Sequence, residues 1–110
     1  MLKKSRRLTK RQFGEFFRNG ARFHSPFCQL VYSKSKGFHG AVVVGKKVFK
    51  RAVDRNRLRR RVYNILYRLL KDGGQGGVYI VITKPSAASA SFTELKKDLE
   101  KLFNTINPKP

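Results

Sequence analysis

The chain has 110 residues, of which 40% are hydrophobic, and this is enough for one modest buried core in a single domain spanning residues 1–110. Its 26 Lys and Arg residues stand against only 6 Asp and Glu, and a formal net charge of +20 disfavours a protein that acts alone, because such a charge repels itself. The natural partner is a polyanion. Cys28 is the only cysteine, which excludes an intramolecular disulfide or a Cys-x-x-Cys metal site and is typical of a reducing compartment.

The positive charge is concentrated in the first two-thirds of the chain. Residues 1–72 carry 9 Lys and 12 Arg against 3 acids, a net charge of +18, whereas residues 73–110 carry 5 Lys and 3 acids, a net charge of +2. All the arginines lie between Arg6 and Arg68, and the planar guanidinium is the cation that best matches phosphate and stacks on bases. The first two-thirds of the chain is therefore predicted to form the binding surface.

The start of the chain is basic, and its apolar residues do not recur at the spacing of a helix or a strand. Residues 1–8 are predicted to be a flexible arm, and no apolar h-region follows them. No run in the sequence approaches the roughly 18 apolar residues that span a membrane. We therefore expect a protein that is neither secreted nor membrane-spanning and that works in the cytoplasm.

The predicted elements begin with a short helix. Thr9 is placed as its N-cap, the helix covers Lys10 to Asn19, and three phenylalanines share one of its faces. Strand-favouring residues then run from Pro26, and after a turn at residues 34–40 they continue as GAVVVGKKV, which predicts an antiparallel hairpin. The periodicity of residues 21–25 leaves open whether a further short strand forms there.

A second helix is predicted from Asp54, as N-cap, to about Lys71. Its apolar stripe contains Leu58, Val62, Ile65 and Leu69, with Leu66 at the edge. The opposite face is predicted to be wholly cationic or hydrogen-bonding, with Tyr63 at its margin and Arg59 bordering the stripe. Its members are Asn56, Arg57, Arg60, Arg61, Asn64, Tyr67 and Arg68.

The run Val78 to Thr83 predicts a strand in the interior of the sheet, after a flexible glycine-rich turn at residues 73–77. A last helix begins near Ser91 or Thr93, and residues 107–110 form a flexible tail. The predicted buried face of that helix comprises Phe92, Leu95, Leu99, Leu102, Phe103 and Ile106. The fold class is an α/β (α+β) sandwich, a small mixed four-stranded sheet with helices packed on it in the order α-β-β-β-α-β-α.

Five arginines crowd the first turns of the second helix, where positive charge opposes the helix macrodipole and costs a few tenths of a kcal/mol each. Folding alone would favour acids there, whereas a phosphate would meet backbone N–H groups and guanidinium forks together. Lys46, Lys47, Lys50 and Arg51 extend this surface in the preceding loop. The pattern therefore predicts that this surface binds phosphate groups without recognising a particular base sequence.

These segments resemble a known family. The stretch GKKVFKRAVDRNRLRRRV, from Gly45 to Val62, is similar to the signature of the bacterial ribonuclease P protein. RLTKRQFGEFFRNG, from Arg7 to Gly20, resembles the family's N-terminal pattern, and VYIVITKPSA, from Val78 to Ala87, resembles its last strand. The resemblance implies a helix–sheet sandwich of the ribosomal-protein-S5-domain-2-like type.

The resemblance also implies roles for particular residues. Phe13 and Phe17 would line a groove between the first helix and the sheet that receives the 5′ leader of precursor tRNA, although core packing alone could explain both. Either Val31 or Tyr32 would face that groove. Tyr63 stands where many members have Arg, and it could stack on a base instead. The residues expected to contact the catalytic RNA, including the neighbouring lysines, are Lys46, Lys47, Arg51, Arg55, Asn56, Arg57, Arg59 and Arg60.

No catalytic residue is predicted in the chain. The six carboxylates are scattered, and Glu94 with Asp98 is assigned to the solvent face of the last helix, paired with Lys97 and Lys101. His24 and His39 lie far from any metal-ligand pattern. In the family the RNA subunit performs the hydrolysis with Mg²⁺, so the implied partners are ribonuclease P RNA and precursor tRNA, with no membrane, no small-molecule substrate and no cofactor on the protein. A ribosomal protein and a self-sufficient ribonuclease are the competing interpretations.

Overall fold

The computed structural model describes residues 10–107, so the predicted arm at residues 1–8, the Thr9 cap and residues 108–110 lie outside the described part. The helices and strands follow one another in the order predicted, with one additional 3₁₀ helix after the last strand. They are α1 (Lys10–Asn19), β1 (Ala21–His24), β2 (Cys28–Lys34), β3 (Phe38–Val43), α2 (Ala52–Lys71), β4 (Gly77–Thr83), the 3₁₀ helix (Pro85–Ser89) and α3 (Phe92–Ile106). None of the described helices is both long enough and apolar enough to cross a membrane.

The sheet order is β1-β2-β4-β3, which corrects the predicted hairpin of β2 and β3. β2 instead forms an antiparallel hairpin with β1, the short strand left open above, and β4 lies between β2 and β3. β4 pairs antiparallel with β2 and parallel with β3. The physical reason is that residues 78–81 are apolar and buried on both faces of the sheet, and a strand is covered best on both faces at the centre of the sheet, with helices above and below it.

Helices cover both faces of the sheet, and each face has its own apolar cluster. α1 lies on one face, where its phenylalanines pack on Val31, Ala41, Val78 and Ile80. α2 and α3 cover the other face, where the larger core includes Leu30, Val42, Tyr79 and Val81 of the sheet. Sequence periodicity therefore predicted the sandwich and the interior position of β4 correctly.

The start of α2 differs from the predicted one, whereas α3 begins at the first of its two predicted positions. The N-cap of α2 is Arg51, not Asp54, and its side chain makes no capping hydrogen bond. Asp54 lies inside the first turn, where the positive end of the helix dipole favours a carboxylate, and it pairs with Arg51 at 3.7 Å. α3 begins after Ser91, whose hydroxyl accepts from the Glu94 N–H while the Glu94 carboxylate accepts from the Ser91 N–H.

The end of α3 joins the glycine-rich turn. Asn107, assigned above to a tail, is the C-cap of α3, and its side-chain oxygen accepts a 2.6 Å hydrogen bond from the Gln75 N–H. The turn itself has tight packing at its last residue, because a Cβ on Gly77 would lie 2.4 Å from the Tyr32 ring and 2.7 Å from the Ser33 carbonyl oxygen. Packing therefore requires a glycine at this position, since any side chain would clash.

Candidate nucleic-acid interface

The exposed face of α2 carries a concentrated group of positively charged side chains. Its buried side comprises Leu58, Val62, Tyr63, Ile65, Leu66 and Leu70. Every residue predicted for the opposite face, from Asn56 to Arg68, is exposed. The helix therefore presents one continuous surface of arginine, asparagine and tyrosine side chains, with no carboxylate after Asp54 until Asp72.

The predicted RNA-contact residues fall into two groups. Six of them extend to solvent from α2 and the loop before it. Arg55 and Arg59 are half-buried and make hydrogen bonds within the protein. The exposed ones are Lys46, Lys47, Arg51, Asn56, Arg57 and Arg60.

Arg55 connects the helix to the loop that carries the lysines. Its Nη1 donates to the carbonyl oxygens of Phe49, at 3.0 Å, and Lys50, at 2.6 Å. The loop itself turns at Gly45, whose carbonyl accepts from the Val48 N–H at 3.1 Å, and the Val48 side chain is buried. Arg55 thus fixes the basic loop against the start of α2, a role that charge counting alone did not reveal.

Arg59 bonds to a neighbour on the same helix. Its Nη1 donates to the side-chain oxygen of Asn56 at 2.6 Å, an i, i+3 contact on the surface of α2. The Asn56 amide N–H₂ stays available to a ligand, since it is the oxygen of the side chain that is engaged. The contact orders both side chains in the free protein.

The second candidate surface lies across the sheet, on the α1 side. Phe13 and Phe17 stack with ring centroids 5.5 Å apart and an angle of 20° between their planes. Both rings are half-buried against the sheet, so they contribute to the core and keep part of their surface open. Val31 faces α1 within this cluster, whereas the Tyr32 ring lies on the opposite face, 5.0 Å from the ring of Tyr79. Of the two alternatives, Val31 belongs to the α1 side.

Arg22 joins this aromatic pair and was missed by the sequence reasoning. Its guanidinium carbon lies 4.4 Å from the Phe17 ring centroid, and its Nη2 donates to the Phe17 carbonyl oxygen at 2.7 Å. The carbonyl belongs to the last turn of α1, where a basic side chain is favourable. Arg22 pairs with Val31 across the β1–β2 hairpin, which places both on the α1 face, so a definite β1 assignment would have found it.

Tyr63 does not take the role suggested for it. It is only 9% exposed and belongs to the main core, and its hydroxyl accepts a hydrogen bond from the Val42 N–H at 3.3 Å. A ring held there cannot stack on a base. The helical period predicted Tyr63 at the margin of the polar face. In the structure its contact with Val42 of β3 places the side chain in the core instead.

Asp98 and Phe92 reverse their predicted positions on α3. Asp98 is 7% exposed rather than on the solvent face, and its carboxylate accepts from the Ser25 hydroxyl and, at 3.3 Å, from the Phe27 N–H. Phe92, predicted to be buried, is 41% exposed. Phe92 is the first residue of α3, whereas Asp98, further along the helix, meets the turn between β1 and β2.

Several of the described carboxylates have structural contacts. Asp54 pairs with Arg51, Asp98 holds the β1–β2 turn, and hydrogen bonds from Ser91 lower the pKa of Glu94. Burial, then the nearby charge of Asp98, raises the pKa of the Cys28 thiol to about 12, so this cysteine is not a nucleophile. Within residues 10–107, no three His, Cys, Asp or Glu side chains come together as metal ligands.

Comparison with known proteins gives a consistent result. The family model for Ribonuclease P matches residues 1–107. The ribonuclease P protein component of a Nitratiruptor species is 35% identical over 98 residues, which cover 89% of this chain and 88% of that protein. The Staphylococcus aureus RNase P protein has a TM-score of 0.82 at 20% identity, covering 96% of this chain and 97% of its own. The Thermotoga maritima protein has a TM-score of 0.80 at 23% identity, covering 91% and 96%. These two structures have the fold described here, consistent with the expected ribosomal-protein-S5-domain-2-like class.

Proposed function

The chain belongs to the ribonuclease P protein family, whose members are components of an RNA-containing endoribonuclease that processes tRNA. From that premise we propose that it binds the catalytic ribonuclease P RNA through α2 and the 5′ leader of precursor tRNA through the α1 face of the sheet. The observation that carries the proposal is the exposed face of α2, which is free of carboxylates from residue 55 to residue 71 and adjoins the lysine loop.

The α2 surface binds RNA by electrostatics. Lys46, Lys47, Arg51, Arg57 and Arg60 are exposed on one helix and its preceding loop, so several phosphates can be neutralised together. Each phosphate contact releases counterions and contributes roughly 0.7 to 0.9 to the slope of log affinity against log salt. The residues with internal bonds, Arg55 and Arg59 with Asn56, keep further N–H donors for RNA, because an Arg has five.

The α1 face binds a single strand by stacking and charge. Phe13 and Phe17 provide aromatic surface, and Arg22 places a positive charge directly beside the Phe17 ring. Single-stranded RNA is recognised by this combination, and stacking contributes about 1 to 3 kcal/mol per base. Because α1 and α2 lie on opposite faces of the sheet, the two RNA contacts do not compete for the same side chains.

The hydrolysis belongs to the RNA subunit in this proposal, and that subunit would hold the Mg²⁺. The protein's own residues bind and orient the two RNAs and lower the repulsion between them, since the chain carries a formal charge of +20. The carboxylates of Asp54, Glu94 and Asp98 stabilise helix starts and a turn, which supports a non-catalytic role. We place this activity in the cytoplasm, and the free Cys28 is compatible with a reducing compartment.

The experiment measures cleavage of a precursor tRNA by a bacterial ribonuclease P RNA over a range of Mg²⁺ concentrations. The protein alone should leave the substrate intact, and with the RNA it should lower the Mg²⁺ concentration needed for removal of the leader. Cleavage by the protein alone, or no effect on the RNA enzyme, would overturn the proposal.

A pair of variants tests the leader surface within the same assay. Phe17→Leu keeps an apolar side chain against the sheet and removes the stacking ring, so it should weaken binding of a substrate with a leader by about 5-fold or more. Binding of mature tRNA, which lacks the leader, should not change. Phe92→Leu is the matched control, because Phe92 is an exposed phenylalanine on α3, which lies on the opposite face of the sheet from Phe17. An equal loss for leader-containing and leader-free RNA would contradict this assignment.

A further inference from the structure

A small pocket lies between the first half of α2 and the 3₁₀ helix that follows β4. It encloses about 180 Å³. This is below the roughly 300 to 1,000 Å³ of sites for drug-sized ligands, so the interior suits a single base, with room for a phosphate only at the side where Arg57 and Arg61 are exposed. Its lining residues are Phe49, Asp54, Arg57, Leu58, Arg61, Ala87, Ala88 and Ala90.

Internal hydrogen bonds fix both walls of the pocket. On the α2 side, Arg55 holds the Phe49 carbonyl at 3.0 Å and so fixes the residue that carries the aromatic ring of the pocket. On the other side, the Ala87 N–H donates to the Lys84 carbonyl at 2.9 Å and the Ala90 N–H donates to the Ala87 carbonyl at 3.2 Å. The Ala87 side chain is buried beneath this turn. The cavity therefore exists before any ligand binds, which lowers the cost of ordering on binding.

The cationic groups of the pocket are available to a ligand. Arg57 and Arg61 stand one helical turn apart on the same side of α2, and both are exposed. Neither makes a hydrogen bond or ion pair through its side chain with another residue of the 10–107 segment. The one carboxylate in the lining, Asp54, is paired with Arg51 at 3.7 Å, which reduces its repulsion of an anion.

The remaining surface of the pocket is apolar. Phe49 and Leu58 form one side, and three alanines form the other, where their single methyl groups leave space that larger side chains would fill. A bare phosphate needs cations and N–H donors but gains nothing from an aromatic ring and methyl groups. A nucleotide uses both halves, because its base has an apolar face and its phosphate has charge.

We propose that this pocket binds a single unpaired nucleotide of the catalytic RNA, with the base against Phe49 and the alanines and the phosphate on Arg57 and Arg61. This inference rests on the proposed function, which supplies the RNA. It adds a contact made by shape and stacking to a surface that otherwise acts by charge alone. It also assigns a role to Arg61 and to the 3₁₀ helix. The expected RNA-contact residues included neither Arg61 nor any residue of that helix.

Two variants separate the two halves of the pocket. Ala88→Leu fills the cavity from an exposed position without changing charge, and Arg61→Gln removes one cation. Ser89→Leu, on the exposed neighbour outside the lining, is the control for the first, and Lys101→Gln on α3 is the control for the second. Thermal unfolding checks that all four fold, and Ala88→Val replaces the leucine variant if that one does not.

The assay measures affinity for full-length ribonuclease P RNA at several salt concentrations, together with chemical probing of the bases. Ala88→Leu should weaken binding by about 5-fold or more with an unchanged salt slope, and one base protected by the wild-type protein should become reactive. Arg61→Gln should expose the same base and lower the salt slope by roughly 0.7 to 0.9. The two controls should keep the protection.

The outcomes distinguish this proposal from the proposed function. If the wild-type protein neither binds the RNA nor stimulates it, the proposed function fails. If the wild type binds and stimulates the RNA but Ala88→Leu behaves as Ser89→Leu does, the nucleotide pocket is refuted and the proposed function stands. A loss with Arg61→Gln and none with Ala88→Leu would mean a phosphate contact only, and this also overturns the proposal.

Discussion

Arg55 and Arg60 both lie on α2 but have different surroundings, and their substitution by glutamine should therefore have different effects on stability and on RNA binding. Arg55 makes two hydrogen bonds to backbone carbonyls of the basic loop, whereas Arg60 is exposed on the outer face of the helix. Arg55→Gln should therefore lower the stability of the free protein, and Arg60→Gln should not. Both variants remove one positive charge, so each is the matched control of the other.

The magnitude follows from the two bonds and the position of the charge. A hydrogen bond from a charged donor contributes about 1.5 to 3 kcal/mol, and the value is at the lower end where, as at the Lys50 carbonyl, the contact is exposed. Removal of a cation from the start of a helix returns roughly 0.3 to 1 kcal/mol. Because the one Nη1 group makes both contacts, they count as a single bond of this size, and the net loss for Arg55→Gln is about 1 to 2 kcal/mol, which in a domain of this size lowers Tm by roughly 4 to 10 °C. Arg60→Gln should stay within about 0.5 kcal/mol of wild type.

Thermal unfolding of the free proteins and titration of ribonuclease P RNA at several salt concentrations give the two readouts. Arg60→Gln should lower the salt slope by roughly 0.7 to 0.9 at unchanged Tm. Arg55→Gln should lower Tm and change the slope less, because part of its guanidinium already faces the loop. Equal Tm values for the two variants, with equal loss of slope, would refute the assignment of Arg55 as the residue that holds the loop.

Three further predictions concern groups outside the RNA surfaces. Asp98→Ala removes the acceptor of two hydrogen bonds and should lower the free energy of unfolding in urea by about 1 to 3 kcal/mol, whereas exposed Asp72→Ala should leave it nearly unchanged. Cys28, with its pKa raised to about 12, should resist iodoacetamide at pH 8 in the folded protein and react after denaturation; reaction at equal rates would contradict its burial. The pKa of Glu94 is lowered by hydrogen bonds from Ser91, so its contribution to stability is present above its ordinary pKa and lost as pH falls through the lowered one; Glu94→Gln should flatten that part of the pH–stability profile.

The sequence allowed prediction of those features that depend on local period. The exposed face of α2 agrees with the structure at every predicted position, because the helical repeat of 3.6 residues continues without interruption from Asn56 to Arg68. β4 was placed in the sheet interior correctly, since its apolar run needs cover on both sides. The two phenylalanines of α1 face the sheet for the same reason.

The errors arose where distant parts of the chain meet. β2 and β3 both favour a strand, but their pairing depends on β4, which comes more than thirty residues later than β3. Asp98 has the period of an exposed residue and is buried because the turn at Ser25 offers it two donors. Tyr63 is drawn into the core by β3 in the same way. The contact of Arg22 with Phe17 required a definite β1, and the pocket beside Arg61 required the position of the 3₁₀ helix.

The place of β4 in the sheet has a consequence for the order in which the protein assembles. A chain emerging from the ribosome can close the β1–β2 hairpin early, but β3 has no strand partner among the described residues made before it. α2 is complete before β4, the strand that joins the two halves of the sheet, has been synthesised. The basic helix therefore lies on a half-built domain, with only β3 available to cover part of its apolar stripe, until residues 77–83 arrive. We expect the final, slow folding step to be insertion of this strand, since contacts between distant segments form last.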